Sequence, residues 1–243
     1  MPDIAYGRER CRSRSLESRN RRGMMQTVRC VVVLLALASF DVAVACEPPI
    51  DLHRAWHGRL MALAWSVLIP IGVLMARYCK VTPRQPWPEV LDNPAWWHAH
   101  RATQYVAVAC MVIAIYLILN APPDPTRTSN VHGVVGWCAF ALAIAQLIGA
   151  WLRGSKGGPS EAAPDGSWFG DHYNMTSRRQ RFESIHKTVG YLLLMLAAIA
   201  TVSGLATAAA PVWMRITITL WWLALMIVEF LFIERGRSTS LQE

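Results

Sequence analysis

The chain has 243 residues, 53% of them hydrophobic, and its 24 lysines and arginines outnumber its 16 aspartates and glutamates, giving a formal net charge of +8. A composition that is both apolar and basic is typical of a membrane domain. The basic residues cluster in the first 22 residues and in the connections between apolar runs, which membrane orientation explains, so no nucleic-acid partner is predicted. The six cysteines show no even spacing and no CxxC pair, which argues against a disulfide framework or a thiolate metal site.

The first 56 residues divide into three segments. Residues 1–23 are rich in arginine, and we interpret them as a disordered extension or as sequence ahead of the true start, because Met24 and Met25 follow. Residues 24–45 combine a charged beginning, a short apolar stretch and Ala-Val-Ala before Cys46, the pattern of a signal peptide or anchor. Lipidation of Cys46 is an alternative, although Ala43 stands where such sites usually have leucine. Residues 46–56 are predicted to be a short periplasmic segment.

Five apolar segments follow, each about as long as the 20 or so residues that cross the hydrocarbon core of a bilayer. They lie near residues 57–78, 99–120, 131–152, 186–208 and 212–233. Proline-rich or glycine-rich stretches separate them, and tryptophans lie at their ends, as interfacial anchors do. We therefore predict an all-α fold, an integral membrane helical bundle over residues 57–234. The bundle is predicted to contain about five transmembrane helices. An N-terminal signal or anchor segment precedes it, and a cytoplasmic tail at 235–243 follows it.

The distribution of basic residues predicts the orientation of the bundle. The first and third connections and the tail carry several arginines and lysines, whereas the second holds only Arg127 and the fourth has no charge before Arg215. The positive-inside rule then places the first and third connections and the C-terminus in the cytoplasm. The end at Cys46 is periplasmic, in agreement with an exported signal segment. We expect a multi-pass protein of a bacterial-type inner (cytoplasmic) membrane.

Four histidines lie at or near the ends of four successive spans: His57, His100, His132 and His186. Because the spans alternate in direction, His57 and His132 are expected near the outer face, and His100 and His186 near the inner face. One such histidine is as readily structural as functional, but an ionisable side chain at membrane depth is costly, and two per face favour ligands. Two imidazoles that face each other across a bundle suit the two axial positions of a haem iron.

Two glycines and a choice between neighbouring histidines complete the predicted site. Gly136 and Gly190 each follow a candidate ligand by four residues, one turn along the same helix face, where a missing side chain gives a porphyrin edge room. Close packing of helices is the alternative reason for these glycines. His98 lies about 200° around a helix from His100, so both cannot face one site, and we prefer His100. The remaining histidines are expected to be solvated or interfacial: His53 and His172.

Four blocks of sequence carry a resemblance to a known family: HGRLMALAWSVLIPIGVLMARY at 57–78, WWHAHRATQ at 96–104, HGVVGW at 132–137 and IHKTVGY at 185–191. Over roughly residues 55–235 the chain resembles the cytochrome b561 family, in particular the five-span form that other proteins fuse to an extracellular module. The resemblance implies two haem b groups, one bound by His57 with His132 and one by His100 with His186. The segment 46–56 is too short for a fused module, so we expect a separate outer redox partner.

An iron with two histidine ligands has no free coordination position, so electron transfer is the expected role and no catalytic side chain is predicted. The first hypothesis is transmembrane electron transfer from a cytoplasmic or quinol donor to a periplasmic acceptor such as ferric iron or a redox protein. The alternatives are inward flow from a separate periplasmic dehydrogenase to quinone, a transition-metal transporter that uses the intramembrane histidines, and a purely structural subunit. The long third connection is either a docking surface for the donor or a solvated loop. Assembly as a homodimer is also left open.

Overall fold

Five long helices make up nearly all of the structure. A computed structural model describes residues 51–80, 94–123, 130–155, 158–159 and 173–234. The helices are α1 (Leu52–Tyr78), α2 (Pro94–Leu119), α3 (Asn130–Trp151), α4 (Ser177–Thr207) and α5 (Val212–Glu234). The two-residue strands β1 (Gly158–Pro159) and β2 (Tyr173–Asn174) pair in antiparallel fashion between α3 and α4.

All five helices are long and apolar enough to cross a bilayer. The prediction of an all-α, multi-pass membrane bundle is therefore confirmed. The predicted signal or anchor segment, Cys46, His172 and the C-terminal tail lie outside the described residues, so these interpretations stay predictions.

Three helices begin earlier than the apolar runs predict. α1 begins at Leu52 rather than at 57, α2 at Pro94 rather than near 99, and α4 at Ser177 rather than near 186. The start of α1 is capped by the carboxylate of Asp51, which accepts hydrogen bonds from two main-chain N–H groups at 3.0 and 3.2 Å. The start of α4 is capped by the hydroxyl of Thr176. Caps and polar first turns carry no hydrophobic signal, so hydropathy alone misplaces such boundaries.

The early start of α4 changes the surroundings of His186. This residue lies about two and a half turns into the helix rather than at its beginning. Arg178, Arg179 and Arg181, which the sequence assigned to the third connection, are helical residues of α4. Their positions are therefore fixed relative to His186 by the helix itself.

The hydrogen-bond pattern of α1 changes in the middle of the span. Residues Leu63–Leu68 form a π-helical stretch that ends just before Pro70. Pro70 has no N–H with which to bond the carbonyl oxygen of Ser66, four residues earlier. The indole Nε1 of Trp221, on α5, donates to that oxygen at 2.6 Å. A neighbouring helix thus supplies a donor where proline removes one, which explains how the span accommodates Pro70.

The bundle is built from two helix pairs. α1 packs along α2 and α3 packs along α4, and the π-helical stretch of α1 joins the pairs through its contact with α4. Five alanines and four larger side chains form the core: Ala64, Ala107, Ala139, Ala143 and Ala197, with Trp65, Ile69, Met111 and Leu193. Small residues let helix backbones approach closely in a membrane, where lipid tails are as apolar as leucine. Two facing surfaces, one per helix pair, carry the histidines.

Candidate functional site

The four predicted histidines form two facing pairs, and each pair joins the two halves of the bundle. His57 of α1 faces His132 of α3, with ring centroids 6.1 Å apart and ring planes at 85°. His100 of α2 faces His186 of α4, with centroids 6.5 Å apart and planes at 82°. The pairs are those that the alternating span directions predicted. His98 is exposed on α2, and His100 is the one of the two that meets His186.

The two pairs lie at opposite ends of the α1–α2 hairpin. His57, near the start of α1, is within hydrogen-bond distance of the carbonyl oxygen of Ala114, near the end of α2. His100, near the start of α2, is likewise close to Gly72, near the end of α1. Following the predicted orientation, we call the first pair the outer pair and the second the inner pair.

Three of the four imidazoles are held by main-chain carbonyl oxygens through Nδ1. The Nδ1-to-oxygen distances are 3.0 Å for His57 with Ala114, 2.9 Å for His100 with Gly72 and 2.9 Å for His132 with Ala200. A carbonyl oxygen only accepts hydrogen bonds, so in each ring Nδ1 carries the proton and Nε2 keeps its lone pair. Imidazoles that bind metals are oriented in this way.

The fourth imidazole has a side-chain partner that sequence reasoning missed. Nδ1 of His186 lies 2.7 Å from Oε1 of Gln146, on α3. Nε2 of Gln146 donates to the carbonyl oxygen of His186 at 2.9 Å, which identifies the amide atom that faces the ring as oxygen. The sequence feature that could have drawn attention to Gln146 is an amide side chain within an otherwise apolar span, since polar groups at membrane depth are usually paired.

The spacing of both pairs fits one metal atom between two Nε2 atoms. Imidazole nitrogen binds first-row metals at about 2 Å and the ring centre lies about 1 Å behind it, so two axial rings have centres about 6 Å apart. The observed separations are 6.1 and 6.5 Å. Among the described residues no group of three or more histidine, cysteine or acidic side chains converges, as a closed zinc site would require. The donor set suits an iron that receives its four remaining ligands from a porphyrin.

The two predicted glycines differ in what surrounds them. A Cβ atom on Gly136 would meet nothing within 4 Å, which is compatible with clearance for a porphyrin edge. A Cβ atom on Gly190 would lie 3.6 Å from Nε2 of Gln146. Gly190 thus borders the amide that holds His186, a neighbour that its spacing did not predict.

Two further glycines border the ligands more tightly. A Cβ atom on Gly204 would lie 2.8 Å from Cε1 of His132, closer than side chains pack. A Cβ atom on Gly72 would overlap the side chains of Thr103 and Gln104, one turn after His100 on α2. These glycines allow helices to approach the sites closely, and neither has a distinctive spacing from a histidine in the sequence.

Aromatic rings and arginines surround the inner pair. The ring of Trp97 stacks on His100 with centroids 6.4 Å apart, and Phe182 stacks on His186 at 5.1 Å. The guanidinium carbon of Arg153 lies 4.0 Å from the centre of the Trp97 ring, within the range of a cation–π contact. Stacked rings on both histidines restrict the rotation of the imidazoles.

The charges at the inner end are predominantly positive. Arg179 forms an ion pair with Glu183 at 2.9 Å, and Lys187 lies 3.8 Å from the same carboxylate. Burial, together with the neighbouring guanidinium groups of Arg179 and Arg101, lowers the pKa of Arg153 below its ordinary value. The cations favour anionic groups at this end of the bundle.

The outer end is tied together mainly through the start of α1. The guanidinium of Arg54 donates to the carbonyl oxygen of Pro122, just past the end of α2. His53 is half-buried, and its Nδ1 atom lies 3.6 Å from the carboxylate of Asp51. A half-buried side chain is compatible with the solvated or interfacial position predicted for His53.

Polar contacts attach α5 and α4 to the inner end of α1. The hydroxyl of Tyr78 donates to Glu229 at 3.1 Å, and the guanidinium of Arg77 donates to the hydroxyl of Tyr191. Glu229 had no partner that the sequence could identify. Tyr78 is 1% exposed, so its hydroxyl depends on a protein partner.

Comparison with known proteins finds similarity to one family over part of the chain. The family described as "Eukaryotic cytochrome b561" matches residues 56–153, a range that contains His57, His100 and His132. A cytochrome b561, DM13 and DOMON domain-containing protein of Arabidopsis thaliana is 27% identical over 73% of this chain and 17% of its own length. A second, a cytochrome b561 and DOMON domain-containing protein of the same plant, is 30% identical over 62% of this chain and 27% of its own length.

A third relative has a functional name. Ferric-chelate reductase 1 of Bos taurus is 27% identical over 61% of this chain and 22% of its own length. The chain thus spans between 17% and 27% of the length of these three relatives. No solved structure matches the chain. The chain is thus similar to the cytochrome b561 family over residues 56–153, and the cofactor that this similarity implies is b-type haem.

Proposed function

We propose that the chain transfers electrons across the membrane through two b-type haems, one held by His57 and His132 and the other by His100 and His186. The observation that carries this proposal is the presence of two facing imidazole pairs, each with Nδ1 engaged and about 6 Å between ring centres. Haem held between these imidazoles would supply a one-electron carrier, and the four histidines would be the residues that hold it.

The residues of the chain hold and insulate the two sites. The carbonyl oxygens of Ala114, Gly72 and Ala200 orient three imidazoles, and Gln146 orients the fourth. Each pair bridges the α1–α2 and α3–α4 halves, so a cofactor between the rings would join both halves of the bundle. The proposed electron-transfer domain is residues 57–234, with one site near each face of the membrane.

The proposed direction is outward, from a cytoplasmic or quinol donor to a periplasmic acceptor such as ferric iron or a redox protein. The arginines on the connections and helix ends near the inner pair support a cytoplasmic placement of that end. The ferric-chelate reductase among the relatives supports ferric iron as an acceptor. We place the protein in a bacterial-type inner membrane, with its C-terminus in the cytoplasm and the end at Cys46 in the periplasm.

Transition-metal transport is a second use of intramembrane histidines, and it predicts a different arrangement. Transporters usually place their site near the bilayer midplane, at broken helices. Here the histidines lie in two layers toward the ends of α1 and α2. Nothing in the part of the chain that the structure describes favours transport over electron transfer.

The experiment is a count of haem per polypeptide, with reduced spectra, for the chain expressed in a haem-replete host. We expect two haems in the unchanged protein and one in each of His57→Ala and His100→Ala, because each substitution removes one axial ligand. His98→Ala, in which an exposed histidine of the same helix is removed, serves as the control and should keep both. A folded protein without haem would contradict electron transfer and bring metal transport forward.

A further inference from the structure

We propose that Gln146 is a positioning residue that lowers the reduction potential of the inner haem through its hydrogen bond to His186. This proposal rests on the proposed function, since it requires a haem between His100 and His186. Gln146 holds the histidine by two contacts, from Nδ1 of the ring to Oε1 at 2.7 Å and from Nε2 to the carbonyl oxygen at 2.9 Å. The amide therefore fixes both the tautomer and the rotation of the imidazole.

The acceptor on Gln146 differs in kind from the other three. The carbonyl oxygens of Ala114, Gly72 and Ala200 belong to helices, where each also lies in position to accept the N–H group four residues later. That of Ala200 in addition accepts from the hydroxyl of Ser203 at 3.2 Å. Oε1 of Gln146 belongs to no helix ladder, and its distance to Nδ1 is the shortest of the four. We infer that His186 forms the strongest of these hydrogen bonds.

A strong hydrogen bond to Nδ1–H has a known electronic consequence. It increases the electron density on the imidazole and makes Nε2 a more basic ligand. A more basic axial ligand stabilises oxidised iron relative to reduced iron, so the reduction potential falls. Gln146 thus lowers the potential of the inner haem relative to the value it would have with an apolar side chain at this position.

The packing around Gln146 keeps the amide in place. Gly190, one turn after His186 on α4, leaves room for the amide, because a Cβ atom there would come to 3.6 Å from Nε2. Phe182, one turn before His186, stacks on the imidazole. The ring is therefore confined by an amide, an aromatic ring and the helix. Of the four groups that accept a hydrogen bond from a histidine Nδ1, only the amide of Gln146 can be removed by a substitution, since the other three are main-chain carbonyl oxygens.

The test is a spectroscopic redox titration of the full-length protein in detergent or nanodiscs, for the unchanged chain, Gln146→Leu and Gln146→Glu. In Gln146→Leu we expect the ratio of reduced to oxidised inner haem at a given potential to rise by about tenfold. For one electron this corresponds to an upward shift of about 59 mV in the reduction potential. In Gln146→Glu at pH 8 a carboxylate accepts the hydrogen bond, and the shift should be downward. The outer haem should keep its potential in both, and the electron paramagnetic resonance signal of the inner haem alone should change.

The control is Gln180→Leu, the same substitution at an exposed residue of α4, which should leave both potentials unchanged. Should Gln146→Leu retain too little inner haem for titration, Gln146→Glu supplies the decisive shift. Two bound haems with an unaltered inner potential in both Gln146 variants would overturn the role of Gln146 and leave the proposed function standing. An unchanged chain that binds no haem would overturn the proposed function itself.

Discussion

The outer and inner histidine pairs have nearly the same ring geometry but are held in different ways. Both outer rings, His57 and His132, use main-chain carbonyl oxygens as partners. The inner pair uses one main-chain oxygen and the amide of Gln146, and aromatic rings stack on both of its histidines. The outer geometry thus follows from where the helices run, whereas the inner geometry also depends on particular side chains.

The largest expected effects come from testing the pairing itself. The double variant His57→Ala with His132→Ala should lose one haem, no more than either single variant, because both residues serve one iron. The double variant His57→Ala with His100→Ala should lose both. Haem per polypeptide measures the result. Loss of both haems in the first double variant, with the protein still folded, would contradict the pairing.

Gly204 offers a way to disturb the outer pair without removing a ligand. In Gly204→Ala the new methyl group would lie 2.8 Å from the ring of His132, so the ring must move. We expect roughly a tenfold loss of affinity for the outer haem and no change for the inner haem. Tenfold is the lower end of the loss seen when a group that orients a metal ligand is altered. Haem release to apomyoglobin, resolved for each site by its spectrum, measures this.

The control for Gly204→Ala is Gly149→Ala, whose methyl group would make ordinary contact with Phe182 at 3.8 Å. It should release neither haem faster. Equal release of outer haem from the two alanine variants would show that the contact with His132 has no part in holding the ring.

A smaller effect is expected from the polar contact at the inner end of α5. Tyr78→Phe keeps the ring, which stacks on Phe232 at 5.1 Å, and removes the hydroxyl that donates to Glu229. Stability should fall by about 1 kcal/mol, typical of a hydrogen bond within a membrane bundle, while both haems stay bound. The midpoint of thermal unfolding measures this. Tyr116→Phe, at a 65% exposed tyrosine, is the matched control. An equal fall in its unfolding midpoint would contradict a stabilising role for the hydrogen bond between Tyr78 and Glu229.

The smallest effect is expected where α5 meets the middle of α1, between the two sites. Trp221→Phe removes the indole N–H that donates to the carbonyl oxygen of Ser66 at 2.6 Å. We expect a loss of about 0.6 kcal/mol in stability and no change in either reduction potential, because the contact touches neither pair. Trp213→Phe, at a 66% exposed tryptophan, controls for the change of ring. A shift in one haem potential would instead connect α5 to that site.

Much of the site was predictable because its signals are local in the sequence. The apolar runs predict five spans, and their alternation predicts which histidines share a face. Helical spacing shows that His98 and His100 cannot both face one site, and the position of His100 inside the span favours it. The helix boundaries were less predictable, since the caps Asp51 and Thr176 lie outside the apolar runs. The roles of Gln146 and Gly204 were not predictable, because each depends on a residue of another helix, 40 and 72 positions away in the chain.

The sequence by itself determined the number of helices, their alternation and the two pairs of histidines, because hydrophobic length and helical period are properties of single segments. Only the tertiary structure decided which atoms hold each imidazole: carbonyl oxygens for three rings and the amide of Gln146 for the fourth. It also decided that Trp221 donates to the carbonyl oxygen of Ser66, to which Pro70 cannot donate because proline has no N–H. The physical reason is that such hydrogen bonds depend on distances between helices, which no single segment of the sequence encodes.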